Sequence, residues 1–156
     1  MPGAYVVTVR VAGRELKGPL RVEGDPRVAF SDADRMSRQM TLLNLYDLQK
    51  TLASSRTASR FAITRLDSLR ASADGDRAIH TRVTQLQAEI TAELNTVSAL
   101  SRAIEGYSGL PTTDQRRQMD WAYQDVSTTV EALNKLLQNE PIKTAQPPIA
   151  LPLQRR

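Results

Sequence analysis

The 156-residue chain contains no cysteine, which excludes disulfides, thiolate metal centres and thiol nucleophiles and leaves the redox compartment open. Histidine occurs once, at position 80, and no second His, Cys or Glu-x-x-His pattern accompanies it to support a metal site. Aromatic residues make up only 4% of the chain, with two Phe and one Trp. A core must then be built from Leu, Val, Ile, Met and Ala, a palette that suits helix packing better than a β-sandwich. No apolar run reaches the roughly 18 residues a membrane span requires, and residues 1–24 lack the charged start and apolar stretch of a secretory signal. There is no Gly-rich phosphate loop and no Gly-x-Ser-x-Gly elbow.

The charge balance excludes another class. Twenty-one basic residues, seventeen of them Arg, stand against 17 acidic ones for a net charge of +4. A nucleic-acid binder gathers such an excess into one stripe and interleaves aromatics for stacking. Here Arg is dispersed and neighboured by Asp and Glu, so neither a nucleic acid nor a membrane surface is the expected partner.

The first stretch, "PGAYVVTVRVAGRELKGPLRV" (Pro2 to Val22), has period two. Tyr5, Val7, Val9 and Val11 alternate with Val6, Thr8 and Arg10, and on the return Leu16, Leu20 and Val22 oppose Glu15, Lys17 and Arg21. Ala12-Gly13-Arg14 makes the turn, and Pro19 marks an edge or a bulge because it donates no ladder hydrogen bond. The spacing predicts a β-hairpin with one face to bury, and a lone hairpin is marginal in water.

From Ser31 to about Ala73 there is neither Gly nor Pro. Ser31 and Asp32 are N-cap candidates. The steps Leu45, Leu48, Leu52, Ser55, Ser59, Ala62, Leu66 and Leu69 are those of a helix seam, with small residues at its centre where a neighbour can approach closely or the helix can bend. A second helix is expected from about Asp76 to Glu105 on Ile79, Val83, Leu86, Ile90, Leu94, Val97, Leu100 and Ile104. A third, capped by Thr112 or Thr113, uses Met119, Ala122, Val126, Val130, Leu133 and Leu137, with Trp121 and Tyr123 beside them. Short loops force antiparallel neighbours. The expected fold is therefore mainly α: an antiparallel up-down-up three-helix bundle over 32–139, preceded by a β-hairpin (1–24) and linker (25–31). A Pro-rich tail over 140–156 follows, whose Ile149, Leu151 and Leu153 can dock on the bundle or on the hairpin.

No catalytic, cofactor-binding or metal-binding residue is assigned. His80 reads as a surface histidine. Asp74-Gly75-Asp76 resembles a calcium loop only in its two carboxylates, and "DGDRAIHTRVTQ" supplies none of the further ligands, so it reads as a turn. Glu89 and Glu93, one turn apart, have the spacing of an acid–base pair, yet on an amphipathic helix they read as a solvated flank. Arg56, Arg60, Arg65 and Arg70 read as snorkelling side chains beside the seam.

The order of features resembles a known family. "PGAYVVTVRVAGRELKGPLRVEGDPRV" followed by a long helical segment is similar to the C-terminal end of large bacterial sortilin-like proteins of the neuraminidase-repeat (Asp-box, BNR) propeller class, often labelled glycosyl hydrolases. The matching residues are Pro2, Gly3, Tyr5, Val7, Val9, Gly13, Pro19, Leu20, Val22, Asp25, Pro26 and Arg27, and "LPTTDQRRQ" and "ALNKLLQ" look like that family's final helix. The resemblance implies that the hairpin closes an Ig-like β-module and that the parent is exported or lies in the cell envelope. It also implies a protein partner, the parent's β-module or propeller; the competing reading, drawn from the long first helix and not from the resemblance, is a free-standing helical adaptor or self-associating bundle that pairs with another subunit. No Ser-x-Asp-x-Gly-x-Thr-Trp box is present, so no residue of a propeller site carries over.

Overall fold

The computed structural model describes residues 2–70, 77–139, 142–143 and 147–152, Arg70 by its backbone alone. Strands β1 (Gly3–Val11) and β2 (Arg14–Val22) precede helices α1 (Asp32–Arg70), α2 (Arg77–Glu105) and α3 (Thr113–Leu137). The expected bundle with an N-terminal hairpin is what the chain forms. The Asp74–Asp76 turn lies outside the described residues.

The seam of α1 is buried along its length. Leu45, Leu48, Leu52, Ala62 and Leu66 are 0–1% exposed, and so are Ser55 and Ser59 at 0%. Buried hydroxyls are costly unless satisfied. Here Ser55 Oγ donates to the Thr51 carbonyl at 2.9 Å and Ser59 Oγ to the Arg56 carbonyl at 3.0 Å, so each bonds its own helix. The small side chains thus leave the seam narrow without breaking it, and α1 runs as one helix of 39 residues, about 58 Å.

Two contacts fix the antiparallel pairing of α1 with α2. Near one end His80 Nε2 lies 3.0 Å from Asp67 Oδ1. Near the other, Arg38 Nη2 donates to the carbonyls of Ile104 (2.9 Å) and Glu105 (3.0 Å). This second contact caps the last turn of α2 with a cation from a neighbouring helix, where the orphan carbonyls and the negative end of the dipole favour one. Only the first turn and a half of α1, Asp32–Ser37, extends past it, so α1's greater length is mostly matched by α2. The third side is α3, whose Ala122, Val126, Val130 and Leu133 close the main cluster with Leu86, Ile90 and Val97. A second cluster, Ala62, Leu66, Val83 and Ile142, seals the far end. Ile142 belongs to the tail, which therefore docks on the bundle rather than on the hairpin.

Helix starts follow local chemistry. At α3, Thr112 Oγ1 accepts from Gln115 N at 3.2 Å while Gln115 Oε1 accepts from Thr112 N at 2.9 Å, a reciprocal capping box. At α1, Ser31 Oγ accepts from Asp34 N at 3.1 Å, and the Asp34 carboxylate accepts from Ser31 N at 3.2 Å. Asp32 and Asp34 sit in that first turn, where acidic side chains oppose the positive dipole end.

The hairpin is regular: Tyr5 faces Leu20, Val7 faces Gly18 and Val9 faces Leu16, with no bulge at Pro19, which faces Val6. Its turn is two residues, Ala12 (φ 47°) and Gly13 (φ 78°), and β2 begins at Arg14. Both φ values are positive, as a type I′ connection requires, although Ala bears a Cβ penalty there that Asn or Gly escapes.

Two substitutions test this packing. Thr112→Ala is expected to lower unfolding stability by about 1 kcal/mol, and Ser59→Leu by about 1–3 kcal/mol through overpacking. Urea titration followed by helical ellipticity measures both.

Candidate functional site

The hairpin presents an apolar face that no helix covers among the described residues. Tyr5, Val7, Val9, Val11, Leu16, Leu20 and Val22 project to one side and are 39–69% exposed. Neither strand packs against any helix, and among the described residues their only element-level partner is each other. Single exposed apolar residues are ordinary on protein surfaces, but seven on one small sheet form the kind of patch that marks an interaction surface.

The two edges of this sheet differ. In a two-residue hairpin the pair flanking the turn, Val11 and Arg14, is hydrogen-bonded, and bonded pairs alternate with non-bonded ones. The register then turns the N–H and C=O groups of Ala4, Val6, Thr8 and Arg10 outward on β1, and those of Glu15, Lys17, Pro19 and Arg21 outward on β2. Pro19 has no N–H to offer, and Lys and Arg beside it are typical guards of a sheet edge. The β2 edge is blunted, whereas the β1 edge keeps a full row of donors and acceptors.

The opposite face is polar and locally paired. Glu15 receives Lys17 Nζ at 2.8 Å and Arg10 Nε at 2.9 Å across the ladder. The Lys17 ammonium first, then the Arg10 guanidinium, hold its carboxyl below the ordinary range. The linker that follows is ordered by its own side chains. Asp25 accepts from Arg27 N, Nε and Nη2 at 2.8–3.0 Å, Val28 N donates to the Asp25 carbonyl at 3.1 Å, and the Arg35 guanidinium sits 5.5 Å above the Phe30 ring. A Cβ on Gly24 would stand 2.8 Å from Arg35 Nη2, so the chain passes close to the first turn of α1.

The residues weighed in the sequence are dispersed through the bundle. His80 is more than a surface group: its side chain is 18% exposed and paired with Asp67. Arg56 is half-buried and Arg60 and Arg65 are exposed along α1; the Arg70 side chain lies outside the described residues. Among the described residues no three His, Asp or Glu side chains converge as metal ligands, and no helix is long and apolar enough to cross a membrane.

Glu93 departs from the expected solvated flank. Glu89 is exposed, but Glu93 turns into the α2–α3 interface, where its Oε1 accepts from Thr129 Oγ1 at 2.6 Å and its Oε2 is buried without a partner. Burial raises its carboxyl pKa; the Thr129 hydroxyl opposes that rise, and the Asp125 and Glu89 charges add to it. The Glu93 carboxyl is thus engaged at the core margin, and that of Glu89 faces water.

Sequence periodicity did not reveal three side chains that organise the molecule: Arg38 at the end of α2, and Asn134 and Tyr123 on α3. The last two hold the tail. Asn134 Nδ2 donates to the Ile149 carbonyl and Ile149 N donates to Asn134 Oδ1, both at 2.9 Å, while Tyr123 OH donates to the Pro152 carbonyl.

No protein-family model matches this chain, and neither does a curated protein or a solved structure.

The pH dependence of Glu93 has a definite sign. A raised carboxyl pKa means that the folded chain holds the proton more tightly than the unfolded one. The penalty is absent below the unfolded value, grows as pH rises through it, and levels off above the folded value. Glu93→Gln is therefore expected to gain stability relative to the parent chain between about pH 4 and pH 7, with the smallest gap at the acid end. Urea midpoints across that range measure it.

Proposed function

We propose that this chain is a noncatalytic C-terminal structural and interaction module of a larger exported protein of the sortilin-like, Asp-box propeller class. The hairpin supplies the last two strands of an Ig-like β-module, and the helical bundle braces it. The observation that carries the reading is the exposed apolar face of Val7, Val9, Val11, Leu16, Leu20 and Val22, which no helix covers among the described residues. A sandwich buries such a face against a second sheet about 10 Å away.

The edges give this reading a direction. The β1 edge, with its outward amides intact, pairs with the neighbouring strand of the parent sheet, and β2, blunted at Pro19, becomes that sheet's outer edge. The ordered linker then sets the bundle against the end of the sheet. The resemblance carried by Pro2 to Arg27 supports the same parentage, and the engagement of Glu93 by Thr129 and of His80 by Asp67 supports a role without chemistry.

Hydrogen exchange tests both the parentage and the direction. In the 156-residue chain the outward amides of Ala4, Val6, Thr8 and Arg10 are expected to exchange at near-unprotected rates. When the coding sequence upstream is included, they are expected to slow at least 100-fold, while Glu15, Lys17 and Arg21 stay fast. Full protection in the short chain, or protection of β2 instead of β1 in the long one, contradicts the proposal. The same exposed face favours one other reading, a free-standing helical adaptor that self-associates hairpin to hairpin. A monomer mass at two widely separated concentrations in sedimentation removes it.

A further inference from the structure

A different surface shows how the bundle can take a partner of defined chemistry. The tail segment Pro147–Pro152 lies along α3 in the opposite direction, with Ile149 beside Asn134 and Pro152 beside Tyr123, three turns closer to the start of that helix. Much of what holds it is contact to its backbone. Asn134 offers one donor and one acceptor to a single residue's backbone, the way a neighbouring strand would, and Tyr123 donates to a carbonyl three residues on. Two of its side chains are taken in by the bundle: Ile149 packs on the main core cluster and Pro152 is buried. Pro147, Pro148, Ala150 and Leu151 are exposed. Prolines pre-set an extended backbone, so the segment loses little conformational freedom on docking.

The site is also larger than its occupant. Between the tail and α1 a cleft of about 700 Å³ remains, bordered by Asp47, Lys50, Ser54 and Phe61. Phe61 is 54% exposed there. Exposed aromatics beside a groove that fixes backbone are the usual furniture of proline-rich peptide recognition.

We propose that the α1–α3 groove is a peptide-binding site for an extended, proline-flanked apolar segment of another chain. The chain's own Pro147–Pro152 is its resident ligand in cis. Asn134 and Tyr123 are the backbone-reading residues, and the Ile149 pocket is the specificity position, taking one aliphatic side chain between prolines. A tethered ligand competes at an effective concentration on the order of millimolar, so the groove is closed to weak partners until the tail is displaced. This inference does not depend on the parentage of the hairpin.

The test uses the full chain and a capped fluorescent peptide with the sequence of Pro147–Pro152. Ile149→Asp unseats the tail, and fluorescence anisotropy is expected to show saturable binding at least tenfold tighter to this variant than to the unaltered chain. Adding Asn134→Ala to it is expected to weaken binding at least tenfold, and a peptide with Asp at the Ile149 position is expected not to bind. Equal affinity for the two proteins, or no effect of Asn134→Ala, overturns the proposal. Helical ellipticity controls for folding, and Ile149→Gly repeats the measurement without an added charge. If neither variant folds, the tail is part of the core rather than an exchangeable ligand, and the proposal fails. Should the unaltered chain instead exchange tails and sediment as a dimer, the groove serves a second copy and the reading of a foreign peptide is overturned.

Discussion

Everything else in this molecule hangs on the burial of one stripe of α1. Leu45, Leu48, Leu52, Ala62 and Leu66 are the residues around which both clusters form, and each buried Leu contributes about 1.5–3 kcal/mol by leaving water. A helix of 39 residues is far too polar on its outer faces to fold for its own sake, and its Ser-rich middle has modest propensity. It stays continuous because α2 and α3 cover the stripe from end to end. Ser55 and Ser59 make that covering possible, being small enough for the seam and able to bond their own carbonyls.

The termini of the bundle are closed by polar devices that complement this core. Arg38 and the Asp67–His80 pair fix the register of α2 at its two ends, and Asn134 and Tyr123 lay the tail over the groove that α3 leaves beside α1. None of these contacts reaches the hairpin. Its ion pairs, Arg10–Glu15 across the strands and Lys17–Glu15 within β2, are solvent-exposed and screened, so they orient side chains more than they stabilise strands. Among the described residues the molecule therefore carries a packed helical half and a hairpin whose apolar face no helix covers, joined by the Asp25–Arg27 turn and the Phe30–Arg35 stack.

The legible parts of the sequence were those written in period. Three- and four-residue steps placed all three helices, and alternation placed both strands, because burying one face is what each element has to do. The caps were legible to within one residue, as Ser31 or Asp32 and Thr112 or Thr113, and only the hydrogen bonds of Ser31 to Asp34 and Thr112 to Gln115 choose between neighbours. Glu93 was not legible: its position beside Leu94 left its rotamer open, and only the approach of Thr129 draws it inward. Arg38 stands among polar residues of the first helix and became a cap through a contact 66 positions away. Asn134 left no signal, since an amide on a helix flank looks the same whether it meets water or a backbone. The turn was placed one residue too long, because Ala at a positive φ runs against its ordinary preference. The hairpin edge was legible through Pro19, but which of the two edges stays open required the register.

The bundle is complete without the hairpin, whose apolar face no helix covers among the described residues. The most direct measurement is thermal unfolding of the chain with residues up to Val22 removed, followed by helical ellipticity. The account predicts a cooperative transition with Tm within about 3 °C of the full chain, a change of less than about 1 kcal/mol. A fall of more than about 10 °C, or loss of the cooperative transition, would contradict it and make the hairpin part of the bundle's own stability.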